Sequence, residues 1–396
     1  MAKQNKPAIR FKGFTDAWEQ RKLGELVDRV VRKNTNNEST LPLTISAQYG
    51  LVDQITYFNN RVASRDVSNY YLVLNGEFAY NKSTSDGYPF GAVKRLDLYE
   101  KGVLSTLYIV FVPKKEQQID SDFLTVFFDT NRWHKGVAER AAEGARNHGL
   151  LNISAEDFFD IDLSVPKDVV EQKQIGAFIR QLDDLITLHQ RKYDKLQVLK
   201  KAMLEKMFPK NGSSVPEIRF KGFTDAWEQR KAKDLCSIST GKSNTQDRVD
   251  DGIYPFYVRS PIVEHSNRYL FDEEAVLTVG DGVGTGKVFH YVNGKYDLHQ
   301  RVYRMFDFSE EITAKYFYYY FSNHFYDRVM AMTAKTSVDS VRYEMIADMD
   351  IALPKVKEQM AISAYFDRLD HLITLHQREL EKLQNIKKSM LEKMFV

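Results

Sequence analysis

Two long stretches of the chain carry seam residues at alternating steps of four and three positions. The first series is Ile175, Ile179, Leu182, Ile186, His189, Tyr193, Leu196, Lys200, Met203 and Met207. The second, in the same register, is Ile362, Phe366, Leu369, Ile373, His376, Leu380, Leu383, Lys387, Met390 and Met394. This spacing is typical of the a and d positions of a coiled coil. It predicts two helices, the first about 57 Å long over residues 171–208 at roughly 1.5 Å per residue. Antiparallel pairing of the two helices is favoured over separate packing into two domains.

The segments before these helices have shorter patterns that differ from the helical seams. Residues 159–166 and 347–354 each alternate apolar and polar side chains and end in a proline, which predicts a strand. Apolar pairs four residues apart, in residues 123–128 and 316–321, predict one helix in each half. Short β-type runs at 104–112 and 302–306 lie among turn residues. Each segment is therefore predicted to fold as a mixed α/β domain with many loops.

The chain contains an internal repeat. Residues 9–22 and 218–231 both read IRFKGFTDAWEQRK, and the segments LITLHQR and MLEKMF also occur once in each half. Each half thus has a start and an end that are common to both halves. Between them lies a middle segment that differs between the halves, which we call the private middle. The predicted division is 1–168 and 211–355 for the two variable domains, with 169–210 and 356–396 for the two helices.

Composition limits the expected compartment but does not identify a function. The 396 residues have a formal net charge of only +2, which neither requires nor excludes a nucleic-acid partner. Cys236 is the single cysteine, so no internal disulfide is possible and a reducing cytoplasm is expected. The first ten residues are basic and polar, and no long apolar run is present, so neither a secretory signal nor a membrane span is expected.

This layout resembles the specificity subunits of type I restriction–modification systems. The matching features are the openings at 7–23 and 216–231, the strand-to-proline ends at Pro166 and Pro354, and the Glu-Gln helix starts at Glu171 and Glu358. The resemblance implies an α+β fold. It would contain two mixed α/β target-recognition domains, separated by two long helices that form an antiparallel coiled coil, with a pseudo-two-fold internal repeat.

The resemblance also implies a function. Each recognition domain would read one half of a bipartite, asymmetric double-stranded DNA target. The helices would set the spacing and dock two modification subunits, which are adenine methyltransferases. These would bind S-adenosylmethionine, and restriction subunits using ATP and Mg would complete the assembly. The chain would be required for both methylation and restriction, with no cofactor or metal of its own.

Motifs for catalysis are incomplete in this sequence, so the chain is predicted to be non-catalytic. It has no Pro-Pro pair, such as an adenine methylase motif would contain. The glycine run 280–287 has Asp281 at the first glycine position of a phosphate loop and Val288 in place of the hydroxyl residue. That run is better interpreted as a turn near a DNA phosphate, or as a plain loop. The rival functions are a free-standing DNA-binding regulator and a nuclease or methylase in its own right.

Polar side chains on loops are the candidates for reading DNA, because paired donors and acceptors recognise base edges. In the first half they are Gln48, Tyr49, Asn81, Lys82, Ser83, Arg146, Asn147 and His148. In the second half they are Lys242, Asn244, Arg259, Ser260, Lys287, Lys335, Thr336, Ser337 and Arg342. For each one, base contact, phosphate contact and a solvated surface role remain open.

Overall fold

The chain folds into two compact units. The computed structural model describes residues 5–46, 49–141, 149–210, 213–282, 284–332 and 340–396. Unit 1 comprises Met1–His189 and Glu379–Val396, and unit 2 comprises Gln190–Arg378. Each unit therefore contains one private middle, the first part of one long helix and the last part of the other.

The first half of the chain supplies ten strands and six helices in the described residues. The strands are β1 (Glu19–Lys22), β2 (Val27–Val30), β3 (Leu43–Ser46), β4 (Gly50–Asp53), β5 (Tyr71–Leu74), β6 (Phe78–Asn81), β7 (Ala92–Arg95), β8 (Lys101–Leu104), β9 (Ile109–Pro113) and β10 (Asp162–Val165). The helices are α1 (Leu23–Leu26), α2 (Gln54–Phe58), α3 (Ser121–Phe128), α4 (His134–Arg140), α5 (Ala155–Phe159) and the long α6 (Val169–Lys206).

The second half follows a similar order. Its strands are β11 (Glu228–Lys231), β12 (Ser237–Thr240), β13 (Tyr254–Tyr257), β14 (Val263–Ser266), β15 (Phe271–Val279), β16 (Phe289–Leu298), β17 (Val302–Phe306) and β18 (Asp350–Leu353). Its helices are α7 (Ala232–Leu235), α8 (Ala314–Ala331), α9 (Tyr343–Ala347) and the long α10 (Val356–Lys393), and a 3-10 turn spans Thr245–Asp247.

The same sheet order occurs in both units. In unit 1, β2-β9-β6-β7 form a four-stranded antiparallel sheet, and β3-β4, β5-β8 and β1-β10 form separate antiparallel pairs. In unit 2, β12-β17-β15-β16 repeat that order, and β13 and β14 extend the sheet through a parallel β13–β16 pair. The predicted mixed α/β character of each half is confirmed.

The shared starts and ends form one frame that is built twice. β1 pairs with β10 and β11 pairs with β18 in the same register, so the identical Glu-Gln-Arg-Lys strands occupy equivalent places. Trp18 and Trp227, which follow the repeated glycine turn, are both buried. Each tryptophan lies in the main core cluster of its unit, with the aromatic residues of α3 or α8.

The Glu-Gln helix starts are buried rather than solvated. Glu171 accepts hydrogen bonds from the Arg10 guanidinium, and Glu358 does the same from Arg219. The next residue, Gln172, donates to the Pro166 carbonyl oxygen at 2.9 Å and accepts from the Asp120 N–H at 2.8 Å. Because these polar groups are paired, their burial at the start of a long helix is tolerated. The frame thereby fixes where each long helix leaves its domain.

Within each unit the two long helices run antiparallel. In unit 1, Lys387 on α10 donates to Asp183 on α6 at 2.6 Å, and in unit 2, Lys200 on α6 pairs with Asp370 on α10. The seam positions are buried or half-buried, whereas most of their neighbours on the helices are exposed. The predicted heptad seam and the predicted fold class are therefore confirmed. The presence of a lysine at a seam position of each helix is explained as well, because Lys200 and Lys387 each contact an aspartate of the other helix.

One sequence expectation about a strand was wrong. The run 104–112 was expected to be one β-type segment, but it is split into the end of β8, a turn at 105–108 and β9. The Tyr108 N–H donates to the Ser105 carbonyl oxygen at 3.1 Å, which closes the turn. Serine and threonine at its start favour such a turn over an extended strand.

Candidate nucleic-acid interface

Five chain segments converge in unit 2 where β12 and β15 end and β17 begins. They are residues 242–244, 258–260, 280–282, 299–301 and 340–342, and we call this group the loop edge of unit 2. The Lys242 and Ser243 N–H groups both donate to the Leu298 carbonyl oxygen, at 3.1 and 3.0 Å. The His299 N–H donates to the Tyr257 carbonyl oxygen at 3.0 Å. Backbone hydrogen bonds therefore hold loops that are far apart in the sequence.

The glycine run joins this edge at its first two residues. The Gly280 N–H donates to the Arg301 carbonyl oxygen at 2.8 Å, and the Val341 N–H donates to the Gly280 carbonyl oxygen at 2.7 Å. A Cβ atom on Gly280 would lie 2.7 Å from the Arg301 carbonyl oxygen, and one on Gly241 would lie 2.1 Å from that of Leu298. Both positions need glycine, because any side chain would push these loops apart.

Two exposed arginines contact one carboxylate at the loop edge of unit 2. Arg259 Nη1 lies 3.4 Å from Asp281 Oδ1, and Arg301 Nε lies 3.8 Å from Asp281 Oδ2. Lys242 and Arg342 are exposed on adjoining segments. The edge therefore carries more positive charge than the nearly neutral chain as a whole, as expected of a surface that approaches DNA.

His299 stabilises the turn that presents Arg301. Its Nδ1 accepts a hydrogen bond of 3.0 Å from the Arg301 N–H, so the neutral ring carries its proton on Nε2. Burial lowers the pKa of His299 below its ordinary value, and the positive charge of Arg259 lowers that pKa further. The ring is therefore an acceptor at neutral pH, and the backbone of Arg301 is held in place.

A buried polar group supports the segment with Lys242 and Asn244. The Ser243 hydroxyl donates to Asp297, which is fully buried, at 2.5 Å, and it accepts from Arg268 at 3.1 Å. Gln300 donates from Nε2 to Asn244 Oδ1 at 2.5 Å. The side-chain amides of Asn244 and Gln300 are therefore hydrogen-bonded to each other. Asn and Gln are the side chains that commonly bind N6 and N7 of adenine.

The other candidates of the second half have different surroundings. Lys287 is exposed, and its Nζ lies 4.8 Å from the ring centre of Tyr326 on α8, so it belongs to the far end of the glycine run. The Ser260 hydroxyl accepts from the Ile262 N–H at 3.2 Å and serves its own turn. Arg342 precedes α9 directly. Lys335, Thr336 and Ser337 lie outside the described residues.

Unit 1 has a corresponding loop edge where β6 ends. The Thr84 N–H donates to the Gly149 carbonyl oxygen at 2.6 Å, and the Leu151 N–H donates to the Lys82 carbonyl oxygen at 3.0 Å. This pairs the segment of Asn81, Lys82 and Ser83 with residues 149–151, just as Asp281 bridges to Ser340 in unit 2. Arg146, Asn147 and His148, which directly precede Gly149 in the sequence, lie outside the described residues.

Tyr49 lies elsewhere in unit 1. It is 62% exposed at the turn between β3 and β4. A Cβ on the next residue, Gly50, would lie 4.0 Å from the Arg95 carbonyl oxygen, and Arg95 pairs with Phe78 at the start of β6 rather than at its end. The described contacts therefore associate Tyr49 with the opposite end of β6 from Asn81. Gln48 lies outside the described residues.

Sequence reasoning missed Gln300, Arg301 and the role of Asp281. The signal was present, because residues 299–301 form a polar run between the apolar Leu298 and Val302. Asp281 was noted only as a departure from a phosphate-binding loop. Its contacts with Arg259 and Arg301 depend on segments that are distant in sequence.

The comparison with protein families identifies the family to which the repeated frame belongs. A family model described as the type I restriction modification DNA specificity domain matches residues 16–198 and, a second time, residues 224–385. The chain belongs to this family. The resemblance inferred from the repeated openings and helix starts is confirmed, and so is the DNA-specificity role at the level of this family.

Two relatives agree with membership of the DNA specificity family, and one solved structure shares the fold. The chain is 24% identical to the type I restriction enzyme MjaVIII specificity subunit of Methanocaldococcus jannaschii, over 85% of this chain and 82% of that one. It is 28% identical to the type I restriction enzyme EcoDI specificity subunit of Escherichia coli, over 41% of this chain and 35% of that one. The crystal structure of a type I restriction-modification S subunit from M. genitalium matches with a TM-score of 0.69 at 12% identity, covering 99% of both chains. That likeness shows a shared fold.

Proposed function

We propose that this chain is the sequence-reading subunit of a type I restriction–modification complex, with one half-site of a bipartite DNA target read by each unit. The observation that carries the proposal is a frame built twice with two different loop edges. The frame contacts repeat residue for residue, whereas the turn 299–301 of unit 2, which carries Arg301, corresponds in unit 1 to residues 105–108, which contain no charged side chain. Two unlike readers require an asymmetric target.

The long helices would set the unread gap between the half-sites. A paired helix is stiff over its length, so the number of base pairs between the two sites would be fixed. Reading with two tethered domains also raises the effective concentration of the second contact, so each half-site can bind modestly. We further propose the division into 1–168, 169–210, 211–355 and 356–396 as recognition domain, spacer, recognition domain and spacer.

The repeated opening segments suggest a partner that binds twice. Of the fourteen identical positions, seven are exposed in both copies, and one, the tryptophan, is buried in both. The exposed pairs are Ile9 and Ile218, Lys12 and Lys221, Gly13 and Gly222, Thr15 and Thr224, Asp16 and Asp225, Ala17 and Ala226, and Gln20 and Gln229. Exposed positions usually tolerate substitution with little effect on stability. We therefore propose that these segments, with the adjoining helices, dock two copies of one modification subunit.

The chemistry would then belong to the partners. The modification subunits would be adenine methyltransferases that bind S-adenosylmethionine, and ATP and Mg would serve restriction subunits. This chain would be non-catalytic and without a cofactor. None of the described helices is both long and apolar enough to cross a membrane. We place the complex in the cytoplasm with the host DNA.

The proposed docking predicts matched effects from matched substitutions. We expect Ala17→Arg and Ala226→Arg each to reduce the complex from two modification subunits to one, and the double variant to bind none, because a long charged side chain would obstruct the same contact. Native mass spectrometry of the co-expressed complex measures this. The control Asn60→Arg, exposed outside the openings, should keep both subunits. Two retained subunits in both single variants would contradict the proposed surface.

The function itself is tested by a methylation map. The chain is co-expressed with its modification subunit in a host that lacks DNA methylation, and modified adenines are located across the genome. We expect one two-part, asymmetric motif with a fixed gap. A single uninterrupted methylated motif would contradict the two-part target, and tight DNA binding without a partner and without methylation would favour a free-standing DNA-binding regulator.

A further inference from the structure

Backbone contacts hold Asp281 and Arg301 in place, which is not needed in a simple cluster of surface charges. The backbone of Asp281 is bridged to Ser340, and its neighbour Gly280 is hydrogen-bonded to the Arg301 carbonyl oxygen. The backbone of Arg301 is held from the other side by His299 Nδ1. The carboxylate and the arginine that it contacts are thus fixed relative to each other at the backbone.

The guanidinium groups nevertheless remain available to a ligand. The Arg259 and Arg301 side chains are 47% and 65% exposed, and Asp281 is 26% exposed. The carboxylate contacts Arg301 through Nε and Arg259 through one Nη. A guanidinium has five N–H donors, so donors on both side chains remain for a further partner.

Such an arrangement suits a base edge better than a phosphate. A phosphate contact needs a cation but little orientation, and a partly exposed carboxylate beside it would repel the phosphate. A guanine presents O6 and N7 in the major groove, and an arginine binds both only if its fork is held in the correct direction. Asp281 favours one direction of the two guanidinium groups, through a hydrogen bond from Arg259 Nη1 at 3.4 Å and an ion pair with Arg301 Nε at 3.8 Å, at a place where phosphate binding would be weakened.

The geometry points to Arg259 and Arg301, positioned by Asp281, as the pair that reads guanine in the half-site of unit 2. This inference rests on the proposed function. Arg301 and Arg259 are the specificity-determining residues, and Asp281 is a positioning residue that acts through them.

Unit 1 lacks this arrangement at the equivalent turn. The turn before β9, residues 105–108, takes the place of the turn 299–301 before β17 and contains Leu107, which is 61% exposed, and no cation. Changes to the arginine pair should therefore affect one half-site and leave the other unchanged. The half-site of unit 1 serves as an internal reference in each experiment.

The test maps methylation by the co-expressed complex for the variants Arg301→Ala, Arg301→Lys, Arg259→Ala and Asp281→Asn. We expect Arg301→Ala to lose about 5- to 150-fold of the discrimination for guanine at one position of one half-site. Arg301→Lys should not restore it, because an ammonium group lacks the planar fork. Asp281→Asn, which keeps the side-chain size, should relax the same position to a smaller extent.

Lys233→Ala is the matched control, because Lys233 is an exposed cation that pairs with a carboxylate, Asp348, outside the loop edge. It should leave both half-sites unchanged. If Arg301→Ala does not fold, Arg301→Lys and Asp281→Asn answer the same question. DNA binding at several salt concentrations is measured in parallel for each variant.

Several results would overturn the inference. One is a half-site of unit 2 without a G·C pair, and another is unchanged discrimination in every arginine variant. A third is an equal loss on all sequences together with a weaker salt dependence, which would indicate a phosphate contact. If the wild-type complex methylates no two-part motif, the proposed function fails, and the inference fails with it. A normal wild-type motif with unaffected variants refutes the inference alone.

Discussion

Replacing Glu358 with alanine is expected to destabilise unit 2 by about 3 kcal/mol, the low end of the usual cost, because it leaves the half-buried Arg219 guanidinium without its carboxylate partner. The Glu358 side chain is 2% exposed and that of Arg219 is 15% exposed. Two hydrogen bonds join them, from Arg219 Nε to Oε1 at 2.7 Å and from Nη2 to Oε2 at 2.8 Å. The same pair also fixes the start of α10 to the opening segment of unit 2.

Hydrogen exchange of peptides from each unit measures this effect and separates the units. Glu358→Ala should reduce protection in unit 2, whereas Glu171→Ala, which breaks the equivalent pair with Arg10, should reduce protection in unit 1. Glu228→Ala is the control, since its pair with Arg230 at 3.2 Å is exposed and such pairs contribute little. Equal loss of protection in both units, or a change as small as that of the control, would contradict the expectation.

Replacing Phe395 with alanine is expected to destabilise unit 1 by about 3–5 kcal/mol, as is usual for a fully buried phenylalanine. Phe395 is 2% exposed at the end of the chain. Its ring centre lies 6.0 Å from that of Trp18, 5.6 Å from that of Phe123 and 6.2 Å from that of Phe127. The residues that directly follow α10 are therefore anchored in the core of unit 1.

The duplicate position provides the comparison for this second prediction. Phe208 is 2% exposed and packs on Trp227, Tyr316 and Phe366, so Phe208→Ala should weaken unit 2 by a similar amount. Val198→Ala, at a 70% exposed position of α6, should change the protection of neither unit appreciably. Urea denaturation and unit-resolved hydrogen exchange report the result. A Phe395 variant as stable as the Val198 variant would show that the helix end is not anchored.

These two predictions concern parts of the frame that the sequence already indicated. The repeated MLEKMF segments are predicted to be shared helix ends, with their two methionines at seam positions. The sequence did not indicate that the phenylalanine just beyond each long helix packs in the core of a unit. Likewise, the sequence indicates helix starts at Glu171 and Glu358 but not that both carboxylates are buried and paired with an arginine.

For the candidate DNA-reading residues, the sequence is limited in a different way. Asn81, Lys82 and Ser83 were selected because they follow a short strand, and Lys242 and Asn244 because they form a polar loop. Residue type and local pattern were enough to place four of them on loops beside strands, whereas Asn81 is the last residue of β6. The same reasoning did not select Arg301, and it treated Asp281 as a defect in a phosphate loop. Whether any of these side chains contacts a base stays a prediction.

The sequence by itself determined the frame, that is, the repeat, the heptad seams, the paired helices and the family. These features rest on local periodicity and on identity between the two copies of the repeat. Both are visible in the linear amino-acid sequence. Only the tertiary structure decided which loop residues lie together, because Arg259, Asp281, Arg301 and Ser340 come from four separate segments. Their association depends on sheet register and on close backbone approaches at Gly241 and Gly280. Non-local contacts of this kind leave no periodic signal in the chain.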